Sequence, residues 1–212
     1  MSESGDGGGR VGYERVVAFS DGVFAIAITL LVLQLEVPDL PDSVSGDVLE
    51  RALRDLVSQG VSYFIGFAVI GAFWLGHHRF FDRLRGADGP LMVLNLAFLA
   101  FISLMPFTTG VFGRFGHAEV SVILYAANVV AASAAETAML WAAMRRGLLA
   151  PHAIGDRRWT LFDSFFPGIV FLCSIAVAFV DPRLAPWTWL GLLLARPIGL
   201  RARRGAADDA AA

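Results

Sequence analysis

A run of twenty residues, Val16 to Leu35, carries only four polar side chains: Ser20, Asp21, Thr29 and Gln34. As a helix rising ~1.5 Å per residue, it matches the ~30 Å hydrocarbon core of a bilayer. One of the four is an acid. Ionisable groups at membrane depth are costly and face protein or water rather than lipid. A lipid-facing anchor has no use for Asp21, so the segment belongs inside a bundle of helices. At about 100° per residue, Gly22, Thr29, Leu30 and Leu33 all fall within about 60° of Ile26. They form one stripe, apolar apart from the Thr29 hydroxyl. Ser20 and Asp21 lie away from it, towards whatever packs behind. Such a helix suits a pore lining or a seam between copies, or its stripe packs into the core of a single chain.

The rest of the chain is of the same class. Of 212 residues, 56% are hydrophobic, which is too apolar for an ordinary soluble domain. A net charge of −2 gives no sign of nucleic-acid binding. The single cysteine, Cys173, excludes an internal disulfide framework and a thiolate metal cluster. Residues 1–12 are Gly-rich and polar, expected to be a disordered tail and not a cleavable signal. Residues 13–200 are expected to form the membrane domain, and 201–212 a second tail, basic and then acidic.

Six spans are expected. After the first comes an acidic loop with Glu36, Asp39, Asp42, Asp47, Glu50 and Asp55, stiffened by Pro38 and Pro41. The second span runs from about Leu53 to Gly76, with small residues that allow close helix approach, and ends in an interfacial belt of Trp74, His77, His78 and Arg79. The third covers Pro90 to Phe112, with Pro106 expected to kink or end it. The fourth covers Glu119 to Met144. The fifth, Trp159 to Val180, is interrupted by Asp163 and by Pro167-Gly168, and the sixth is a short stretch from Leu184 to Leu200.

All 17 basic residues are arginine, and they test the topology. With six spans and both termini cytoplasmic, thirteen fall on the inner side and only Arg51, Arg54, Arg114 and Arg183 on the outer. That matches the positive-inside bias, whereas five spans would put the C-terminal arginines outside. A multi-pass plasma-membrane protein surrounded by lipid is expected, with the acidic loop facing outward.

The run Arg15-x-x-x-Phe19-Ser20-Asp21-Gly22, followed by Ala-Ile-Ala-Ile-Thr-Leu-Leu-Val-Leu, resembles the first helix of the transmembrane-protein-175 family. These are endolysosomal and bacterial potassium channels. Trp74-x-x-His77-His78-Arg79 and Asn95-Leu96…Pro106-Phe107 extend the resemblance over the first half of the chain. It implies an all-α integral membrane channel with K+ as the permeant ion, among monovalent cations, and no cofactor. The segment occurs once, and single-repeat bacterial members assemble as homotetramers, so the resemblance implies four first helices around a central pore. It further implies that Ile26, Leu30 and Leu33 narrow that pore, with Thr29 beside them, giving moderate selectivity for K+ over Na+. Arg15, Phe19, Ser20 and Asp21 would support the pore helix. Asp21 and Ser20 are expected to bond to Trp74, His77 or Asn95 on the second and third spans.

Other classes fit less well. No Thr-Val-Gly-Tyr-Gly loop supplies a carbonyl-lined filter. A coupled ion or proton transporter calls for paired broken helices, and only Pro167-Gly168 is a clear mid-span break. An intramembrane enzyme calls for a nucleophile–base motif, and none is visible, so no catalytic residue is expected. His77 and His78 point about 100° apart on a helix, which argues against a shared metal. Glu136 reads either as a proton relay or gating element, or as an acid paired with an arginine or amide.

Overall fold

The computed structural model describes residues 7–36, 38–41, 43–150 and 157–194. Helix α1, Gly7–Leu30, begins inside the glycine-rich stretch and is extended by a 3₁₀ turn, Leu31–Gln34. A short helix α2, Gly46–Asp55, follows, then α3, Val57–Phe81, and α4, Gly89–Phe115. After α5, Glu119–Arg145, come α6, Arg157–Ala178, and a 3₁₀ helix, Ala185–Leu194. Five segments are long and apolar enough to cross a membrane: Tyr13–Gln34, Val57–Phe81, Gly89–Phe115, Glu119–Arg145 and Thr160–Ala178.

Several sequence expectations change. Part of the acidic loop is helical: α2 carries Asp47 in its first turn and Arg54 in its last, as the helix dipole favours. α3 ends at Phe81 rather than near Gly76, so His77 sits within the helix and is buried instead of joining an interfacial belt. Neither Pro106 nor Pro167 ends its helix. Proline in a spanning helix is tolerated where neighbouring helices and side chains satisfy the freed carbonyl. The sixth apolar stretch is a 3₁₀ helix over Ala185–Leu194, packed on α6, and its remainder, 195–200, lies outside the described residues. The tail at 201–212 lies outside them too, as does Arg196.

The layers follow chain order. α5 packs most extensively against α4 and α6, and α4 also packs against α1 and α3. Between the helices lies a core built from Phe24, Leu31, Ile70, Phe98, Ile102, Met105, Tyr125 and Phe171, each almost fully buried. Close approach is set by glycine: a methyl on Gly66 would lie 2.8 Å from the Thr109 side chain and 3.1 Å from Leu31. Here the 3₁₀ turn that extends α1 meets α3 and α4 with no room for a Cβ.

The connections sort the two ends of the bundle. At one end the Tyr13 hydroxyl donates to the Phe81 carbonyl. The α3–α4 and α5–α6 connections pair there through an isolated bridge, Leu84 with Leu149. Arg85 N donates to Leu148 O at 2.8 Å and Ala150 N to Arg83 O at 2.9 Å. Asp88 caps the start of α4, accepting from Leu91 N at 3.1 Å, and pairs with Arg146 from the end of α5. At the opposite end Arg114 pairs with Glu36, and Ser58 Oγ donates to Gly113 O at 3.1 Å. Thus Arg79, Arg83, Arg85, Arg145 and Arg146 share the first end, while Arg51, Arg54 and Arg114 lie at the other.

Candidate functional site

Helix α1 has two dissimilar faces. Ser20, Phe24, Ala27 and Leu31 recur at helical spacing and are buried against α3 and α4. On the opposite stripe Arg15, Phe19, Gly22, Ile26, Thr29, Leu30 and Leu33 are exposed. Ile26 is 61% exposed and Leu33 69%. The alternative in which this stripe packs into the core of one chain is thereby removed. Its hydroxyl is tethered, since Thr29 Oγ1 lies 2.9 Å from both Ala25 O and Ile26 O. Thr29 therefore presents its oxygen lone pairs and methyl outward beside Ile26.

Behind the stripe, polar side chains from three helices form two sets of hydrogen bonds. Trp74 Nε1 of α3 donates to Asp21 Oδ1 at 2.9 Å. Asn95 Nδ2 of α4 donates to Ser20 Oγ at 3.0 Å, and Ser20 Oγ donates to Val16 O at 2.9 Å. His77 Nε2 lies 2.8 Å from Asn95 Oδ1. An amide oxygen only accepts, so Nε2 carries the hydrogen. Ser20, His77 and Asn95 are all essentially removed from solvent. Buried polar groups of this kind stabilise only when every partner is met, and each unmet one costs about 1–3 kcal/mol.

Aromatic rings fix the imidazole. His77 stacks on Phe81, with centroids 4.3 Å apart, and is nearly parallel to Phe98 at 5.6 Å. The Phe24 ring meets it edge-on at 5.5 Å. None of these three phenylalanines was singled out in the sequence, where 17 phenylalanines give no signal of which one flanks a histidine. His78 points elsewhere: it stacks on Trp74 at 5.7 Å and lies 3.6 Å from Asp82. The two histidines therefore diverge. Among the described residues no three His, Cys, Asp or Glu side chains converge on a metal position.

Of the expected support residues, the structure brings Ser20, Asp21, Trp74, His77 and Asn95 together. Arg15 and Phe19 stand apart on the exposed face, and Arg15 forms no ion pair among the described residues. In the acidic loop, Glu36 pairs with Arg114 and Glu50 with Arg54, so two of its carboxylates are partly neutralised. Asp42 lies outside the described residues.

The profile of the family described as endosomal/lysosomal potassium channel TMEM175 matches residues 15–106. A Streptomyces collinus protein named as a potassium channel is 37% identical over 195 residues, covering 87% of this chain and 86% of its own. The mouse endosomal/lysosomal proton channel TMEM175 is 39% identical over 116 residues, half of this chain but 23% of its own length. Among solved structures, a lysosomal potassium-selective channel TMEM175 homolog from Chamaesiphon minutus aligns with a TM-score of 0.72 at 27% identity. That alignment covers 90% of this chain and 98% of the homolog. The apolar helices and these likenesses together make the chain a multi-pass membrane protein.

Proposed function

The chain belongs to the TMEM175 potassium-channel family, and from that premise we propose that it is a potassium-permeable channel whose pore is lined by α1. The observation that carries this reading is the exposed apolar stripe of α1, held from behind by buried hydrogen bonds. One copy of a helix cannot enclose a pore, so several copies surround an axis, and the single-repeat chain makes a homotetramer. In that arrangement Ile26, Leu30 and Leu33 stack as apolar rings, with Ile26 the tightest, and the site gates by dewetting. Thr29 adds a ring of hydroxyl oxygens. A cation sheds water to pass, and potassium, more weakly hydrated than sodium, loses less in doing so. Moderate selectivity for K+ over Na+ follows, with no carbonyl filter, catalytic group or cofactor.

The chain sits in the plasma membrane with six spans and both termini cytoplasmic, which places the arginine-rich end inside. α6 passes unbroken through Pro167-Gly168, so that position gives no support to a broken-helix transporter. The test is K+ and Na+ flux into liposomes for wild type and Ile26→Asn. Asn at the constriction wets it, so the expected result is faster flux with the K+ preference reduced towards unity. Flux and preference unchanged by Ile26→Asn would remove Ile26 from the constriction. A saturable flux coupled to a second ion would replace the channel with a transporter.

A further inference from the structure

Glu136 is an ionisable group that the pore reading does not use. It lies inside α5, nine residues before Arg145, in the half of the membrane that holds His77 and Asn95. Its carboxyl rests against α3 at Gly76: a Cβ built on that glycine would lie 2.6 Å from Glu136 Oε1. α3 and α5 otherwise hardly touch, because α4 stands between them. Its side chain is half-buried, and among the described residues Glu136 forms neither a hydrogen bond nor an ion pair, so the pairing with an arginine or amide suggested by the sequence is not made.

The groups around it are few. From α3, Arg79 bears on it electrostatically, while His77 is turned to Asn95 and His78 to Trp74. α4 has no titratable side chain between Gly89 and Phe115 except Arg114, at the far end. From α6, Ser164 Oγ lies 3.1 Å from Thr137 Oγ1, and neighbouring Asp163 is exposed. Its own helix offers Glu119, Arg145 and the buried Tyr125, all more than two turns away.

On α3, Gly76 directly precedes His77 and comes two residues after Trp74, the two side chains that hold α1 through Asn95 and Asp21. A change of charge at Glu136 therefore acts on the segment that positions the pore helix. We propose that Glu136 is a proton-binding site, and that its proton occupancy sets how α5 bears on α3 and hence the conductance of the pore. The proton site rests on the placement of Glu136 alone. Its effect on conductance rests on the channel reading above.

Two measurements separate these parts. A hydrophobic carbodiimide reacts with a protonated carboxyl in the membrane. The carboxylate oxygen adds to the central carbon, the carboxyl proton passes to a nitrogen, and an oxygen-to-nitrogen acyl shift leaves a stable N-acylurea. Dicyclohexylcarbodiimide is applied to the purified full chain in liposomes at pH 6 and pH 9, and the sites are read by peptide mass spectrometry. The expected result is an adduct on Glu136 at pH 6 that falls at least about fivefold by pH 9. No adduct on Glu136 at either pH overturns the proton site. The second measurement is K+ flux from pH 5.5 to 8.5 in wild type and Glu136→Gln. A profile that changes several-fold in wild type and flattens in the variant supports the coupling, and an identical profile in both overturns it. Flux absent from both proteins counts against the channel reading, and the adduct still decides the proton site.

Discussion

Asn95 uses both ends of its amide, the oxygen taking the His77 hydrogen and the nitrogen giving one to Ser20. Three helices thus meet in one side chain. Replacing Asn95 with Leu keeps the volume but strands the His77 N–H and removes the donor to Ser20. The expected loss is about 2–3 kcal/mol of stability, read as a lower thermal midpoint in detergent. Ser20→Ala removes only the far end of the chain and should cost about 1 kcal/mol. In the double variant the losses should be less than additive, because both act on one connected set. Additive losses would mean that the hydrogen bonds are energetically separate. At this scale the sequence was informative about which residues matter: a serine, an acid and an asparagine inside apolar spans each need a partner, and a tryptophan and a histidine at a span's end can supply one. It did not say who meets whom. Pairing depends on how each helix is rotated, and the packing of phenylalanines around His77 sets that rotation for α3.

The extents of the elements were legible where length and apolarity alone decide them. α5 was placed within a residue, because nothing but the bilayer and its neighbours bounds a continuous apolar run. The ends of α3 were not, since Arg79 and the paired histidines look interfacial until the stacking of His77 draws the helix on to Phe81. That α4 and α6 run on past Pro106 and Pro167 has a tertiary origin too. The start of α4 carries a pH prediction. Leu91 N–H bonding to the Asp88 carboxylate, assisted by Arg146 and opposed by partial desolvation, holds its pKa below the ordinary aspartate value of 3.8. Its stabilising contribution is therefore complete above that value and lost as the pH falls through the lower folded one. Asp88→Asn keeps a weaker cap and loses the Arg146 pair. The variant should melt below wild type at pH 7, and the two midpoints should converge as the pH falls below 3.8. A constant gap across that range would show that the charge of Asp88 does not contribute.

For the whole molecule the open question is what covers the outward stripe of α1. The other spanning helices also leave Phe64, Phe107, Val120 and Leu172 exposed, as lipid-facing helices do. Among the described residues, only α1 combines such a stripe, with Gly22 and Thr29 on it, and a buried polar set directly behind. Lipid needs no support of that kind, whereas a ring of side chains that must hold a fixed radius needs its helix anchored on the reverse side. We therefore expect the purified protein to assemble through α1, with a native mass four times the 22.8 kDa chain in mild detergent. Phe19 and Leu33 lie near opposite ends of the stripe, so Phe19→Asp and Leu33→Asp should each add a ring of four charges close to the axis. Like charges at such distances repel by roughly 1 kcal/mol or more per pair at a partly screened site. The tetramer should then shift towards single chains, and added salt should partly restore it. A native mass of one chain for the wild type, or a tetramer indifferent to both substitutions, would place the pore elsewhere than on α1.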